Sequence, residues 1–179
     1  MSQSATAVHV IPAALITHTV ASIRGAQDAD IAVYHARTPD VRIAMTWGGI
    51  LMTLYTCQAA QGLLEAFAAA RGKMAHVPRE IPPPARDLDD TFARPTLAID
   101  WTRRPNYAVT AQSAVSKRGG KTVHWVDLHT GPITWQIRDQ VGLRSTLQVL
   151  TRVHRTAIAV CLDGEQYRAD PTGDDYEAA

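Results

Sequence analysis

Val41-Arg-Ile-Ala-Met-Thr-Trp47-Gly48-Gly49-Ile50-Leu-Met-Thr-Leu-Tyr-Thr-Cys57 decides the class of this fold. The stretch up to Trp47 alternates apolar and less apolar residues, which is the period of a half-buried strand. Glycine readily takes the positive φ that a tight two-residue hairpin needs, so Gly48-Gly49 reads as the turn. The chain then runs back from Ile50 to Cys57. With that turn Trp47 faces Ile50, Met45 faces Met52 and Ile43 faces Leu54, and these six side chains share a core face. Arg42, Ala44, Thr46, Leu51, Thr53 and Tyr55 take the other face.

A helix is expected after the hairpin, at about 58–71. Leu63, Leu64, Phe67 and Ala70 form its apolar stripe, and Gly72 is its expected C-terminal cap. The 22 residues between Arg42 and Glu65 carry no charge, which is long enough to cross a bilayer. Their period-two alternation and interspersed Thr, Gly and Gln make a hairpin running into a helix the better reading, so no membrane partner is expected. Upstream, 30–37 reads as a strand with Ile31, Val33 and His35 on one side. Residues 13–23 have helical spacing at Ala13, Ile16, Val20 and Ile23, but their β-branched residues favour a strand.

Five of the ten prolines fall in residues 74–95, including Pro82-Pro83-Pro84, and mark a stiffened linker. The order of elements then returns. Strands are expected at 96–102 and 106–116, the second ending in the loop Lys117-Arg-Gly-Gly-Lys121. A hairpin follows from 122–128 and 133–138 around His129-Thr-Gly-Pro132. Asp139 is the expected N-cap of a long helix at about 140–161. Leu143, Leu147, Leu150, His154, Ala157 and Cys161 form its buried stripe, and Arg144, Gln148, Arg152 and Arg155 its exposed side.

The expected fold class is therefore α+β: two ββββα-like repeats packed as one pseudo-two-fold domain. Residues 1–73 form the first repeat with its closing helix, 74–95 the linker, 96–161 a second, basic repeat, and 162–179 an acidic tail. A small sheet with one helix is marginal by itself, which is why the two halves should share a core.

Four strands and a helix, twice over, resembles the architecture of Whirly-type proteins and of PUR-repeat proteins. The likeness covers roughly residues 14–160 as an order of elements, without a shared motif. It implies binding of single-stranded nucleic acid, DNA or RNA.

Charge placement points the same way. Formal net charge is only +1, yet residues 94–160 hold ten Lys/Arg against three Asp/Glu, and 161–179 hold one Arg against six Asp/Glu. Trp125 falls on the outer face of the second hairpin, with Val123, Asp127, Thr134, Gln136 and Arg138. Nearby segments add Trp101, Arg103, Arg104, Tyr107, Lys117, Arg118 and Lys121. An exposed aromatic ring flanked by cations supplies what a single strand needs, a stacking platform and phosphate neutralisation. Expected contacts are Trp125, Arg138, Arg103, Arg104, Tyr107, Lys117, Arg118 and Lys121, with the acidic tail competing for the same groove.

The rival expectation is a protein-interaction or assembly module that forms a homo-oligomer through sheet edges, helices and outward Leu51, Tyr55 and Trp125. A ligand-binding or enzymatic domain with a pocket between the halves stands third. No nucleotide-binding, metalloprotease, serine-hydrolase or CxxC motif is present, so neither catalysis nor a cofactor is expected. His124 and His129 lack a Cys or acidic neighbour at metal-ligand spacing. Asp87, Asp89 and Asp90 read as a solvated acidic patch. Cys57 and Cys161 read as buried, inert thiols, and two cysteines with no basic N-terminal leader suit the cytoplasm.

Overall fold

A computed structural model of the chain describes residues 17–81, 97–116, 119–131 and 133–176. The fold is α+β. Eight strands and two α-helices follow in order: β1 (Thr19–Ile23), β2 (Asp30–Tyr34), β3 (Arg42–Trp47), β4 (Ile50–Leu54), α1 (Cys57–Ala69), β5 (Leu97–Trp101), β6 (Tyr107–Val115), β7 (Thr122–Thr130), β8 (Ile133–Ile137) and α2 (Gln140–Val160).

The strands form two four-stranded sheets. Sheet A has the order β1-β8-β7-β6 and sheet B the order β2-β3-β4-β5. Neither sheet belongs to one half of the chain. β1 pairs in parallel with β8, and β5 pairs in parallel with β4, while the other pairs are antiparallel. Neither half thus builds its own four-stranded sheet, contrary to what the sequence suggests. Each half's opening strand completes the other half's sheet. Parallel neighbours need a long crossover, and residues far apart in the chain meet that need.

The first hairpin has the expected register, with Ile43, Met45 and Trp47 opposite Leu54, Met52 and Ile50. Five of the six are buried and Ile50 is half-buried. The second hairpin differs from expectation. β7 runs on to Thr130, which pairs with Ile133, and Leu128 pairs with Trp135. Gly131 takes φ 58° at the turn, as Gly48 takes 57° in the first hairpin, so the turn is tighter than the four-residue loop the sequence suggests. The shift is two residues. An even shift leaves every side chain on its face, and Val126, Leu128, Trp135 and Ile137 are all buried. β2 is also shorter than expected. His35 and Arg37 take positive φ, 53° and 63°, and turn the chain away.

Thr56 caps α1 through a bond from the Ala59 N–H. The helix ends in a short 3-10 turn, Ala70–Lys73, in place of the expected glycine cap. From Ala59 to Phe67 every residue of α1 is buried, Glu65 included. α2 buries the expected stripe and exposes Arg144, Gln148, Arg152 and Arg155. Its N-cap is Asp139, wholly buried. One carboxylate oxygen accepts from Gly142 N–H at 2.6 Å, and the other accepts from Gly25 N–H and Ile81 N–H, each at 2.8 Å. A single side chain thereby fixes the helix start, the exit of β1 and the chain at Ile81. Gly142 has to be small, because a Cβ there would press on Asp139 and Ile23. No described helix is long and apolar enough to cross a membrane.

Candidate nucleic-acid interface

Alternation along β7 turns Val123, Trp125, Asp127 and His129 away from the core. Their partners on that face are Ala114, Gln112, Thr110 and Ala108 of β6. From β8 come Thr134 and Gln136, and from β1 Val20 and Ser22. Three of these four β6 side chains are short, and the fourth, Gln112, lies opposite Trp125.

Trp125 is half-buried. Its indole N–H donates to Asp127 Oδ1 at 2.9 Å, which fixes the ring against the sheet. Arg138 lies one step beyond the last β7–β8 pair, Val126–Ile137, and so falls opposite Trp125. Its guanidinium carbon sits 5.0 Å from the ring centroid, within cation–π range. Arg138 N–H donates to the Ile23 carbonyl at 2.8 Å, continuing the β1–β8 ladder.

Lys121 is exposed and immediately precedes β7, with its carbonyl accepting from Ser116 N–H at 2.9 Å. Alternation puts it on the Trp125 side, roughly 13 Å away along the strand. Lys117 and Arg118 lie outside the described residues. At the other end of the face His129 Nδ1 is 2.7 Å from Thr134 Oγ1, which is 2.9 Å from His18 Nε2. That line of polar groups runs from β7 over β8 to the residue before β1 and was missed from the sequence. His124 points to the opposite side of β7, where its ring lies 5.6 Å from that of His76.

The remaining expected contacts are elsewhere. Tyr107 pairs with Thr130 on the inner side of sheet A, roughly 17 Å along β6 from the level of Trp125. Its hydroxyl donates to Glu65 Oε1 at 3.1 Å. Burial and the Glu65 carboxylate raise its pKa. Arg104 crosses Gly62 of α1, where a Cβ would clash with its stem, and pairs with Glu65. Tyr176 closes this cluster, its hydroxyl 2.8 Å from Glu65 Oε2. Arg104 and Tyr107 are thus held on α1, away from the Trp125 face. Arg103 is exposed in the loop before β6, at the end of the strand remote from Lys121. Trp101 is core, with its indole N–H 3.4 Å from Met52 Sδ.

The acidic tail is not a free arm through residue 176. Asp163 accepts from the N–H groups of Cys57 and Gln58 at the start of α1, at 2.9 and 3.1 Å. Gln58 donates to the Tyr167 hydroxyl, Gln61 to the Ala169 carbonyl and Arg71 to the Thr172 carbonyl. The tail is tied along α1, and nothing in these contacts carries it to the outer face of sheet A. Cys57 and Cys161 are both buried beneath it. Burial first, then the Asp163 charge, pushes their thiols up to about 12 and about 11.

Among the described residues no group of three or more His, Cys, Asp or Glu side chains gathers as a metal site would require. No protein-family model matches the chain, and neither the curated proteins nor the solved structures contain a significant match.

Proposed function

We propose that this protein binds single-stranded nucleic acid, without catalysis, on the outer face of sheet A. The observation that carries the reading is Trp125, half-buried on the side of β7 away from the core, with Arg138 against its ring. A base stacks on the open part of the indole. Arg138 and Lys121 neutralise phosphates along the same surface. Asp127, the acidic group among the described outward residues of β7 and β8, accepts from the Trp125 N–H and so orients the ring. The order of strands and helices resembles that of the Whirly-type and PUR-repeat proteins, which supports the same class of ligand.

The test is fluorescence anisotropy of labelled oligothymidylate and oligouridylate over a range of salt. Affinity is expected to fall with salt by a log–log slope of about −0.7 per phosphate neutralised. Trp125→Ala should cost about 1–3 kcal/mol at every salt concentration, because stacking releases no counterions. Arg138→Gln should flatten the slope. Absence of binding at low salt ends the proposal.

One observation favours the alternative of an assembly module. β6 is the outer strand of sheet A, nine residues long, with most of its side chains exposed. An edge of that length is a template for pairing with another chain. Sedimentation equilibrium over a range of concentrations separates the readings: a stable dimer that binds no oligonucleotide supports assembly.

A further inference from the structure

A second surface, on the helical side of the molecule, carries a different kind of charge. The 3-10 turn after α1 and the exposed side of α2 enclose a groove of about 540 Å³. Arg71, Arg144, Arg152 and Arg155 line it, and among the described residues no carboxylate does. Leu143, Leu147 and Met74 form the floor. These three are only 4%, 7% and 7% exposed, so the apolar part of the groove is completed by the aliphatic stems of the arginines.

Local partners leave this charge incompletely answered. Arg152 pairs with Asp28 at 2.8 Å, but both side chains are well exposed, and such pairs hold weakly. Arg71 donates to the Thr172 carbonyl, which carries no charge. Burial would raise the Asp170 carboxyl, yet bonds from Thr172 and the charges of His154 and Arg155 hold it below its ordinary value. Arg144 has no ion pair among the described residues.

We infer that this groove docks an acidic amphipathic peptide of a partner protein, with carboxylates on the four arginines and apolar side chains over Leu143, Leu147 and Met74. Charge complementarity selects an anionic partner. The floor selects a peptide over a nucleic acid, because no aromatic ring of the described residues lines the groove and single-strand binding draws on aromatic stacking. Guanidinium groups take carboxylates in a two-point geometry that ammonium groups lack, and methionine adapts to varied apolar side chains. The surface is separate from the Trp125 face, so the two ligands need not compete.

The experiment uses the full chain and a labelled synthetic peptide with leucines at helical spacing and glutamates on either side. Controls are a scrambled peptide of the same composition and labelled oligothymidylate. The probe is expected to bind saturably, and the scrambled peptide more weakly. The exposed pair Arg144→Glu and Arg155→Glu should weaken the probe about tenfold or more while oligothymidylate is unaffected. Thermal unfolding checks that the variant folds, and Arg144→Gln with Arg155→Gln replaces it otherwise. The inference is overturned by no saturable binding, by equal binding of the scrambled peptide, or by variants that leave the probe unaffected. It is also overturned if these variants abolish oligothymidylate binding, which makes the groove the nucleic-acid site.

Discussion

Trp47 of β3 stacks on Trp135 of β8, with ring centroids 5.3 Å apart and planes at 15°. One ring comes from sheet B and the other from sheet A, and Phe67 of α1 packs against both. The Trp47 N–H donates to Gln27 Oε1 and the Trp135 N–H to Thr130 Oγ1, each at 2.9 Å, so neither indole is buried with an open donor. This stack is where the two halves of the chain become one core. Trp47→Ala should cost about 3–5 kcal/mol in denaturant unfolding. A double-mutant cycle with Trp135→Phe should show a coupling of about 0.5–1.5 kcal/mol. Additive effects would show that the rings stabilise the fold independently.

Arg103 and Arg104 are adjacent in sequence and opposite in role. Glu65→Ala leaves the Arg104 guanidinium without its carboxylate, and Arg104→Ala leaves Glu65 buried without its cation. Each should cost about 2–3 kcal/mol, less than for a fully buried pair because Arg104 keeps 22% of its side-chain exposure. Arg103→Gln should change stability by less than about 0.5 kcal/mol. Thermal or urea unfolding of the three variants measures the contrast.

Asp163 and Thr56 share the first turn of α1, Thr56 taking the Ala59 N–H and Asp163 those of Cys57 and Gln58. Asp163→Ala should destabilise the protein by about 1–2 kcal/mol through the lost cap. Deletion of 163–179 should cost more, since Tyr167, Ala169, Thr172 and Tyr176 also leave α1. A truncated protein with unchanged thermal stability and tighter oligonucleotide binding would favour a competing acidic arm.

Alkaline pH should unfold the protein partly through Cys57. Its folded pKa is pushed up to about 12 from an ordinary value of 9.0, by burial and then by Asp163 and Cys161. Below pH 9 the thiol is protonated in both states and its contribution is intact. Between 9 and 12 the unfolded chain releases the proton first, so stability falls as pH rises. Urea unfolding across this window should show a shallower decline for Cys57→Ala than for the unaltered protein.

Local chemistry fixed much of this molecule before any long-range contact. The Gly48-Gly49 turn set the register of the first hairpin. Asp139 announced α2, and the spacing of Leu143, Leu147 and Leu150 set its buried side. Alternation along β7 put Trp125 outward even though the expected pairing was two residues off, because an even shift preserves the face. Three things needed the tertiary structure. The exchange of β1 and β5 between the halves joins strands by backbone bonds, which leave no mark on side-chain pattern. Arg103 and Arg104 look alike in sequence, and only the position of Gly62 and Glu65 on α1 withdraws one of them. The acidic tail has the composition of a solvated arm, and it is held because unpaired N–H groups at the start of α1 lie within reach of Asp163.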